Sequence, residues 1–434
     1  MSKKMKNEKQ ALVPRLRFSE FQGAEEWTTA KLGSLTTIST EKVGDKTCIP
    51  MSITSGVGLV SQEKKFGRII AGDSYKNYLI LKPNDFAYNK SATKEYPEGF
   101  LTLYSGSELA AVPNSIFTCF RIKGESPDPR FLNYLFLGNL HGRWLRKFIQ
   151  VGARAHGSLS INDNDLMALP VPLPAGKRSV AEQRKIADCL SSLDMLIAAQ
   201  ADTIEALKTL KKGLMQQLLP REGETVPRLR FPEFRDAGKW RKCKLEELAK
   251  RGSGHTPSKK NPSYYNGGVK WVSLADSDKL DNGYIFKTKN EISETGLSNS
   301  SAVLHSPGTV ILSRDAGVGK SGVLHSPMAV SQHFISWSCE KSKLSNWFLY
   351  YFLQKMKPTF ESIAVGNTIK TIGLPYFKDM MIVVPAVEEQ QKIADCLSSL
   401  DALIAAKADK IDALKAHKKG LMQQLFPPAK KVEG

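Results

Sequence analysis

The sequence predicts an α+β protein in which two mixed α/β domains are separated by two long antiparallel coiled-coil helices with pseudo-twofold symmetry. The main observation is a repeat: residues 182–220 return as residues 389–427, with 31 of 39 positions identical and no gap. A shorter repeat, VPRLRFSEF at 13–21 and VPRLRFPEF at 226–234, opens each half of the 434-residue chain. The chain therefore duplicates one unit, a globular domain followed by a long helix.

Both copies of the long repeat carry a heptad pattern that is typical of a coiled coil. Their apolar residues alternate at steps of four and three, which keeps them on one side of a helix. A seam this narrow favours one partner helix, so we expect the two copies to pair; the alternative is two separate amphipathic helices. The apolar members of the two seams are Ile186, Leu190, Leu193, Ile197, Ile204, Leu207, Ile393, Leu397, Leu400, Ile404, Ile411 and Leu414.

The seams are interrupted by polar residues at matching places in the two copies. Gln200 and Lys211 in the first copy correspond to Lys407 and Lys418 in the second. At 1.5 Å per residue each helix would be about 55 Å long. Gly213 and Gly420 lie within the helical pattern, where a glycine can kink or end a helix.

These patterns divide the chain into seven segments. The proline-rich stretch 170–180 and the second short repeat mark the changes from domain to helix and back. The predicted segments are an N-terminal arm (1–21), a first domain (22–177), a first helix (178–220), a linker repeat (221–235), a second domain (236–385), a second helix (386–427) and a tail (428–434).

Several regular elements can be assigned within the two domains. Apolar runs bounded by glycine, proline and asparagine predict strands, and longer periodic stretches predict helices. In the first domain the strands are 78–81, 85–88 and 115–121, and the helix is 130–151. In the second domain the strands are 269–274, 308–313 and 329–337, and the helix is 344–357.

Composition favours a protein that is neither secreted nor membrane-spanning. No apolar run reaches the roughly eighteen residues of a membrane span, and the basic start MSKKMKNEKQ lacks a signal-peptide core. The six cysteines form no CxxC pair, and no histidine lies at metal-ligand spacing from them. We therefore expect a cytoplasmic protein with free thiols and no metal.

The net charge of +19 is carried mainly by the two domains. Segments 181–220 and 388–427 are neutral, whereas 22–180 contributes +5 and 241–387 contributes +8. Basic domains on neutral helices suggest a polyanionic partner, most often nucleic acid, although a basic charge is also compatible with simple solubility.

The short repeat predicts a docking segment. Pro14, Pro227 and Pro232 exclude a regular helix there. We expect its arginines and phenylalanines to pack against the long helices; the alternative is phosphate binding.

One loop partly matches a phosphate-binding motif. Residues 314–321 read RDAGVGKS, but the first glycine of a Walker A loop is replaced by Arg314. The stretch that follows predicts a strand rather than a helix. The interpretations are a glycine-rich loop near a nucleic-acid phosphate, a plain hairpin turn or, least favoured, nucleotide hydrolysis at Gly317–Ser321.

No catalytic constellation, Rossmann fingerprint or metal cluster is evident, which favours a binding module. The candidate nucleic-acid contacts are basic, aromatic, amide and hydroxyl residues on loops, because lysine and arginine bind phosphates and several of these types read base edges. They are Lys64, Lys65, Arg68, Tyr75, Lys76, Asn77, Tyr88, Asn89, Lys90 and Arg154 in the first domain, and His255, Thr256, Ser258, Lys259, Lys260, Tyr264, Tyr265, Arg314 and Lys320 in the second.

The sequence resembles the specificity subunits of type I DNA restriction-modification systems over nearly its whole length. The most specific parts are the two EQ.KIADCLSSLD.LIAA…KKGLMQQL helices. Next is GSGHTPSKKNPSYYNGGVKWVSLAD at 252–276, similar to a Thr-Pro-Ser loop of that family. The first half departs from the pattern, because GDKTCIPMSITSGVGLVSQ takes the place of that loop.

The resemblance implies a non-catalytic subunit with two target recognition domains, each reading one half of a split DNA site. It implies that the helices set the spacing and bind two modification subunits, which are N6-adenine methyltransferases that hold S-adenosylmethionine. It also implies restriction subunits that use ATP and Mg²⁺ for translocation and cleavage, and no cofactor in this chain. Two alternatives remain: a DNA-dependent phosphohydrolase that uses Gly317–Ser321, and an architectural coiled-coil protein without sequence preference.

Overall fold

The computed structural model describes residues 12–54, 56–149, 157–366 and 370–428, and the chain divides into two compact units. Unit 1 comprises Met1–Ala199 and Ile411–Gly434, and unit 2 comprises Gln200–Lys410. Each unit therefore combines one globular domain with the first half of the helix that follows it and the second half of the other helix.

The two repeats form the long helices that their spacing predicts. Long helix 1 is Ser179–Leu218, of 40 residues, and long helix 2 is Val387–Leu425, of 39 residues. Neither Gly213 nor Gly420 ends its helix. The twelve apolar residues predicted for the seams are all buried or half-buried.

Within each unit the two long helices run antiparallel. In unit 1, Ile186 and Leu190 near the start of long helix 1 share a core with Leu425 at the end of long helix 2. In unit 2, Leu218 at the end of long helix 1 shares a core with Ile393 near the start of long helix 2. The start of one helix therefore meets the end of the other in both units.

Two of the four polar seam positions, Lys418 and Lys211, hold ion pairs between the helices. In unit 1, Lys418 Nζ lies 2.6 Å from Asp194 Oδ1, and the same carboxylate accepts a hydrogen bond from Tyr134 Oη at 2.8 Å. In unit 2, Lys211 Nζ lies 2.6 Å from Asp401 Oδ1, which is also the carboxylate that Tyr351 reaches at 2.8 Å.

Each ion pair joins the two long helices, and the tyrosine that bonds to its carboxylate joins the domain to them. Burial, together with the neighbouring carboxylate, raises the pKa of each tyrosine and keeps it protonated as a hydrogen-bond donor. A lysine in an otherwise apolar seam is tolerated because its ammonium group is paired.

The domain of unit 1 consists of two four-stranded sheets with short additions. One sheet is antiparallel, with strand order Thr36–Ser39, Phe117–Ile122, Phe86–Asn89 and Phe100–Leu103. The other, here called the outer sheet of unit 1, has the order Gly58–Ser61, Ile49–Thr54, Ala110–Val112 and Leu79–Leu81. Two-stranded pairs join Thr28–Lys31 to Pro170–Leu173 and Ser91–Ala92 to Gly157–Ser158.

The domain of unit 2 repeats this plan with a different sequence. Its larger sheet has the order Ala249–Ser253, Phe334–Cys339, Val310–Ser313, Ser321–Leu324 and Tyr284–Ile285. Its outer sheet has the order Asn290–Ile292, Tyr265–Val272 and Ala329–Val330. Arg241–Lys244 pairs antiparallel with Met381–Val384, as the corresponding strands do in unit 1.

Short helices complete the two domains. In unit 1 they are Leu32–Leu35, Gln62–Phe66, Pro129–Leu137, Leu140–Leu145 and Asp163–Met167, with 3-10 turns at Ser19–Phe21 and Asp73–Asn77. In unit 2 they are Glu294–Ser298, Asn346–Lys355, Lys357–Ile363 and Leu374–Lys378, with 3-10 turns at Pro232–Phe234, Leu245–Glu247, Pro262–Tyr264 and Leu274–Asp276.

Three predicted elements are interrupted in the structure. The single helix expected at 130–151 breaks at Asn139, whose φ of 62° is left-handed, and its last helical residue is Leu145. The helix expected at 344–357 ends at Lys355 and is followed by a second helix that starts at Lys357. The strand expected at 329–337 is two strands, because a turn at 331–333 interrupts it.

The short repeat docks each domain on a long helix, as the sequence predicts. Arg17 donates two hydrogen bonds to Glu182, from Nε at 2.8 Å and from Nη2 at 2.7 Å. Arg230 binds Glu389 in the same bidentate way, with both distances 2.7 Å. The alternative of phosphate binding does not fit, because both guanidinium groups are already paired with buried carboxylates.

The backbone follows the same duplication. The N–H of Leu16 donates to the carbonyl of Gln424 at 3.0 Å, and the N–H of Leu229 donates to that of Gln217 at 3.0 Å. Each copy of the repeat is thus bound to the last turn of one long helix through its backbone and to the first turn of the other through its arginine.

We expect Glu182→Ala to release the segment 12–27 from its helix. The Arg17 side chain is only 9% exposed, and breaking a buried ion pair leaves its charge uncompensated, at a cost of about 3 kcal/mol. Hydrogen exchange at the Trp27 amide, which donates to the Leu12 carbonyl at 2.9 Å, measures this release. Glu389→Ala should instead accelerate exchange at the Trp240 amide.

The matched control for this experiment is Glu205→Ala on the same helix. Glu205 is exposed and its described ion pair is with Lys208, so its removal should leave exchange at Trp27 unchanged. Unchanged exchange at Trp27 in Glu182→Ala would show that the ion pair does not hold the segment.

We expect the folded protein to lose stability in mild acid because His141 is buried. Its ring is buried against Tyr88 and Phe136, and burial lowers its pKa to about 4; Glu98 and Arg143 are the nearby charges. Because the unfolded chain takes up this proton near pH 6.5, the stability is present above about pH 6.5 and lost as the pH falls towards 4. The loss should reach about 3 kcal/mol.

The measurement is the free energy of unfolding in urea for the wild type and for His141→Phe at pH 7 and at pH 4.5. The wild type should lose more stability than the variant between these two pH values. The exposed His417, replaced by alanine, is the control and should follow the wild type. Parallel pH profiles for wild type and His141→Phe would contradict the assignment.

Candidate nucleic-acid interface

The hydrophobic clusters beneath the outer sheets do not include residues of the long helices within the described parts of the chain. The outer sheet of unit 1 rests on clusters that include Met51, Ile80 and Val112, and that of unit 2 on a cluster with Trp271 and Ile292. The loops of the outer sheets are therefore free of the helix-docking role, and most of the predicted contact residues lie on them.

The loop 254–264 of unit 2 is held by its backbone. The His255 amide donates to the carbonyl of Val330 at 2.9 Å, and the His255 carbonyl accepts from Trp271 Nε1 at 3.1 Å. A Cβ at Gly254 would lie 2.1 Å from the Val330 carbonyl oxygen, so only glycine fits there. These hydrogen bonds fix the backbone of the loop, which carries the polar side chains.

Three of the predicted contact residues at the tip of this loop have side chains that are open to solvent. Ser258, Lys259 and Lys260 are exposed. No carboxylate lies within ion-pair distance of either lysine in the described parts of the chain. Two adjacent unpaired cations suit contacts with phosphate groups.

The neighbouring residues of the loop mainly support it. Thr256 is half-buried and its hydroxyl bonds Gln332 Oε1. Tyr265 donates to the Pro257 carbonyl at 2.5 Å and packs on Trp271, and burial raises its pKa. Tyr264 is half-buried and its carbonyl accepts from the Ser293 amide at 2.9 Å.

The segment 314–321 forms a hairpin turn. It joins the antiparallel strands Val310–Ser313 and Ser321–Leu324, with Ala316 at φ 44° and Gly317 at φ 110°. A Walker A loop leads into a helix whose first amides bind phosphate, whereas this turn leads into a strand. The geometry therefore does not fit nucleotide hydrolysis at Gly317–Ser321.

The side chains of this turn make few fixed contacts. Lys320 Nζ lies 3.3 Å from the Ser277 carbonyl, and His333 Nδ1 lies 2.7 Å from Asp315 Oδ1. Arg314 is half-buried, and its Nε has no hydrogen-bond partner within the described residues. The turn brings Arg314 and His333 together, because the Arg314 amide donates to the His333 carbonyl at 3.0 Å.

In unit 1 the strongest candidates lie on the helix Gln62–Phe66 and the loop after it. Lys64, Lys65 and Arg68 are all exposed. Lys65 Nζ also donates to Ser52 Oγ at 3.2 Å. This basic group occupies one edge of the outer sheet, next to the strand Gly58–Ser61.

Other predicted residues of unit 1 are engaged within the fold. Tyr75 exchanges hydrogen bonds with the backbone of Cys48, and Asn77 Oδ1 lies 3.4 Å from Lys42 Nζ. Lys76 pairs with Asp45 at 3.0 Å and Lys90 with Asp163 at 2.9 Å. These side chains already bind other groups of the domain, which disfavours them as DNA contacts.

Tyr88 and Asn89 do not belong to the surface. The strand Phe86–Asn89 is buried on both faces, and Tyr88 Oη donates to the Glu98 carbonyl at 2.7 Å. Asn89 Oδ1 accepts from the Ser91 amide at 2.8 Å. Both side chains are therefore too buried to contact DNA. Arg154 lies outside the described residues.

Several exposed large apolar side chains of the two domains were not identified from the sequence. They are Phe66, Ile69 and Ile70 in unit 1 and Tyr284, Phe286, Val303 and Leu304 in unit 2. The available signal was the run FGRII at 66–70, in which large apolar residues follow two lysines without strand alternation.

Metal sites and membrane-spanning helices are absent from the described residues. No group of three or more histidine, cysteine, aspartate or glutamate side chains is arranged to hold a metal ion. The same residues contain no helix that is both long and apolar enough to cross a membrane. All six cysteines are free thiols.

Residues 237–416 match a family model described as the type I restriction modification DNA specificity domain. Similar curated proteins come from Methanocaldococcus jannaschii. A protein provisionally named as the MjaX type I restriction enzyme specificity subunit is 26% identical over 359 residues, 82% of this chain and 80% of that protein. The MjaVIII specificity subunit is 25% identical over 64% of this chain and 66% of its own length.

Solved structures share the fold. A chain from a study of complex assembly and conformational transition of the type I R-M system has a TM-score of 0.59 and 17% identity, covering 93% of this chain and 98% of that one. The type I restriction-modification S subunit of M. genitalium has a TM-score of 0.55 and 14% identity, covering 96% and 100%. Over most of its length the chain is thus similar to type I restriction enzyme specificity subunits, and residues 237–416 match the DNA specificity domain of those systems.

Proposed function

We propose that this chain is the non-catalytic DNA-recognition subunit of a type I restriction-modification complex. Each unit reads one half of a split target in double-stranded DNA. The long helices, which continue from one unit into the other, determine the gap between the half-sites. Two modification subunits that hold S-adenosylmethionine methylate adenine at the site, and restriction subunits that use ATP and Mg²⁺ cleave DNA.

One observation carries this proposal. The domains of the two units dock on the long helices through equivalent contacts. These are the ion pairs Arg17–Glu182 and Arg230–Glu389 and the two groups of lysine, aspartate and tyrosine at the seam. The outer sheets of the two units, by contrast, share neither strand number nor loop sequence. A constant attachment with a variable outer surface suits a protein that presents two different readers to two different half-sites.

The charges of the outer loops support DNA as the ligand. Exposed lysines lie at the tips of both outer sheets, at 64–65 in unit 1 and at 259–260 in unit 2. Phosphate contacts of this kind position a protein on duplex DNA, whereas base contacts give it sequence preference. The overall charge of +19 is consistent with attraction to a polyanion.

Replacing residues 236–385 by the corresponding domain of another specificity subunit should change one half-site and leave the other intact. The reason is that the docking contacts of unit 1 are unaffected by this exchange. Methylation sequencing of cells with the wild type, with the exchanged chain and without the chain measures both half-sites. Replacing 22–177 instead is the matched control and should change the other half. A change in both halves after one exchange would contradict modular reading.

The double variant Lys259→Ala/Lys260→Ala should weaken binding to specific and random duplexes alike. If each lysine contacts one phosphate, the dependence of log K on log salt should fall by about 1.8 in slope. Titrations of a labelled duplex at several salt concentrations give this slope. Lys343→Ala, in which the lost lysine is paired with Glu340, is the control and should keep the wild-type slope. An unchanged slope in the double variant would exclude phosphate contacts there.

A further inference from the structure

Unit 1 displays a group of large apolar side chains on its outer sheet. Phe66 is 43% exposed, Ile69 is 57% exposed and Ile70 is 53% exposed. We call these three residues the apolar tip. Three such residues within five positions form a concentrated apolar surface, and exposed apolar patches commonly mark binding sites.

The loop that carries the apolar tip is held in place from within. The helix Gln62–Phe66 is capped by Ser61, whose Oγ accepts from the Lys64 amide at 3.2 Å, and it ends at Gly67 with φ 69°. The Gln62 side chain is buried, and its Oε1 accepts from the Ile70 and Ala71 amides, each at 3.0 Å. The backbone is therefore fixed on both sides of the apolar tip while the side chains point outward.

Cations surround the apolar tip. Lys64 and Arg68 are exposed, and no carboxylate pairs with either in the described parts of the chain. Lys65 Nζ lies 5.1 Å from the centre of the Phe66 ring. An apolar centre with a cationic rim matches duplex DNA, which presents apolar base surfaces and thymine methyl groups between two rows of phosphates.

Unit 2 repeats this arrangement with unrelated residues. In both units an outer-sheet strand pairs in parallel with one neighbour and antiparallel with another, and a short helix follows the antiparallel neighbour. In unit 2 this helix is Glu294–Ser298, capped by Ser293 Oγ, which accepts from the Gly296 amide at 2.9 Å. The loop after it exposes Val303 and Leu304. The same topological position thus carries exposed apolar residues in both units.

We infer that the apolar tip contacts the bases of the half-site read by unit 1, with Lys64 and Arg68 on the adjacent phosphates. Val303 and Leu304 make the equivalent contact with the half-site read by unit 2. The different side chains at these two positions contribute to the difference between the half-sites. This inference rests on the proposed function and adds specific base-contacting residues to it.

The test uses the full-length chain, co-expressed with its partner subunits, and the target found by methylation sequencing. The variant Phe66→Ala/Ile69→Ala/Ile70→Ala should bind the target duplex at least about tenfold more weakly. Its binding to random duplex and the salt dependence of binding should stay unchanged, because no phosphate contact is removed. Methylation sequencing should show relaxed preference in one half-site only.

Two further variants complete the experiment. Val303→Ala/Leu304→Ala should relax the other half-site. Leu210→Ala removes a side chain on long helix 1 that is 51% exposed, and it should change neither affinity nor preference. All replaced side chains are exposed, so folding should be retained, which thermal unfolding of each variant checks.

Each outcome decides between the hypotheses. If the wild type does not distinguish target from random duplex, both the proposed function and the inference fail. If the wild type distinguishes them and the triple variant keeps its affinity and both half-sites, the inference alone is overturned. The inference is likewise overturned if the triple variant loses its partner subunits during purification but keeps its DNA affinity, because the apolar tip is then a protein interface.

Discussion

Two buried carboxylates, Glu182 and Glu389, hold the architecture together. Each lies in the first turn of a long helix and binds an arginine from a segment that precedes a domain. The same segment also bonds through its backbone to the last turn of the other long helix. It therefore connects its domain to both long helices. The desolvation of these charges is compensated by bidentate geometry, and in unit 1 also by Trp27 Nε1, which donates to Glu182 at 3.2 Å.

A fixed attachment allows the rest of each domain to vary. The antiparallel sheet of unit 1 and the larger sheet of unit 2 have four antiparallel strands in common, to which unit 2 adds a parallel fifth, and both contribute to the clusters that contain long-helix residues. The outer sheets contain four strands in unit 1 and three in unit 2. The clusters under the outer sheets are separate from those that include helix residues. Changes in the outer loops therefore leave the helix contacts undisturbed, which is a physical basis for changing specificity without changing assembly.

The sequence predicted the long helices well because their evidence is local and periodic. Heptad spacing depends only on the chain itself, so the burial of Ile186, Leu190, Ile393 and Leu397 followed directly. The partners of the seam lysines were not predictable in the same way. Asp194 and Asp401 lie outside the seam pattern, and their roles depend on the register between two helices that are far apart in sequence.

Loop residues were harder to interpret because composition does not show burial. Tyr88 and Asn89 stand beside Lys90 in a polar-looking stretch, yet their strand is covered on both faces and has no exposed side. The break at Asn139 depends on a left-handed backbone that asparagine adopts at low cost but that helical periodicity does not reveal. Phe66, Ile69 and Ile70 are of residue types that are usually buried, and the structure shows all three exposed.

The seam ion pairs also bear on how the chain chooses its partner helix. Asp194 and Lys211 lie on one helix, and Asp401 and Lys418 occupy the same positions on the other, so both helices present the same pair of charges. Each helix is therefore complementary to a copy of itself as well as to its twin. Charge chemistry at these positions cannot distinguish the two pairings; covalent connection does, by giving the twin a high effective concentration. These four charges alone therefore do not determine which two helices pair.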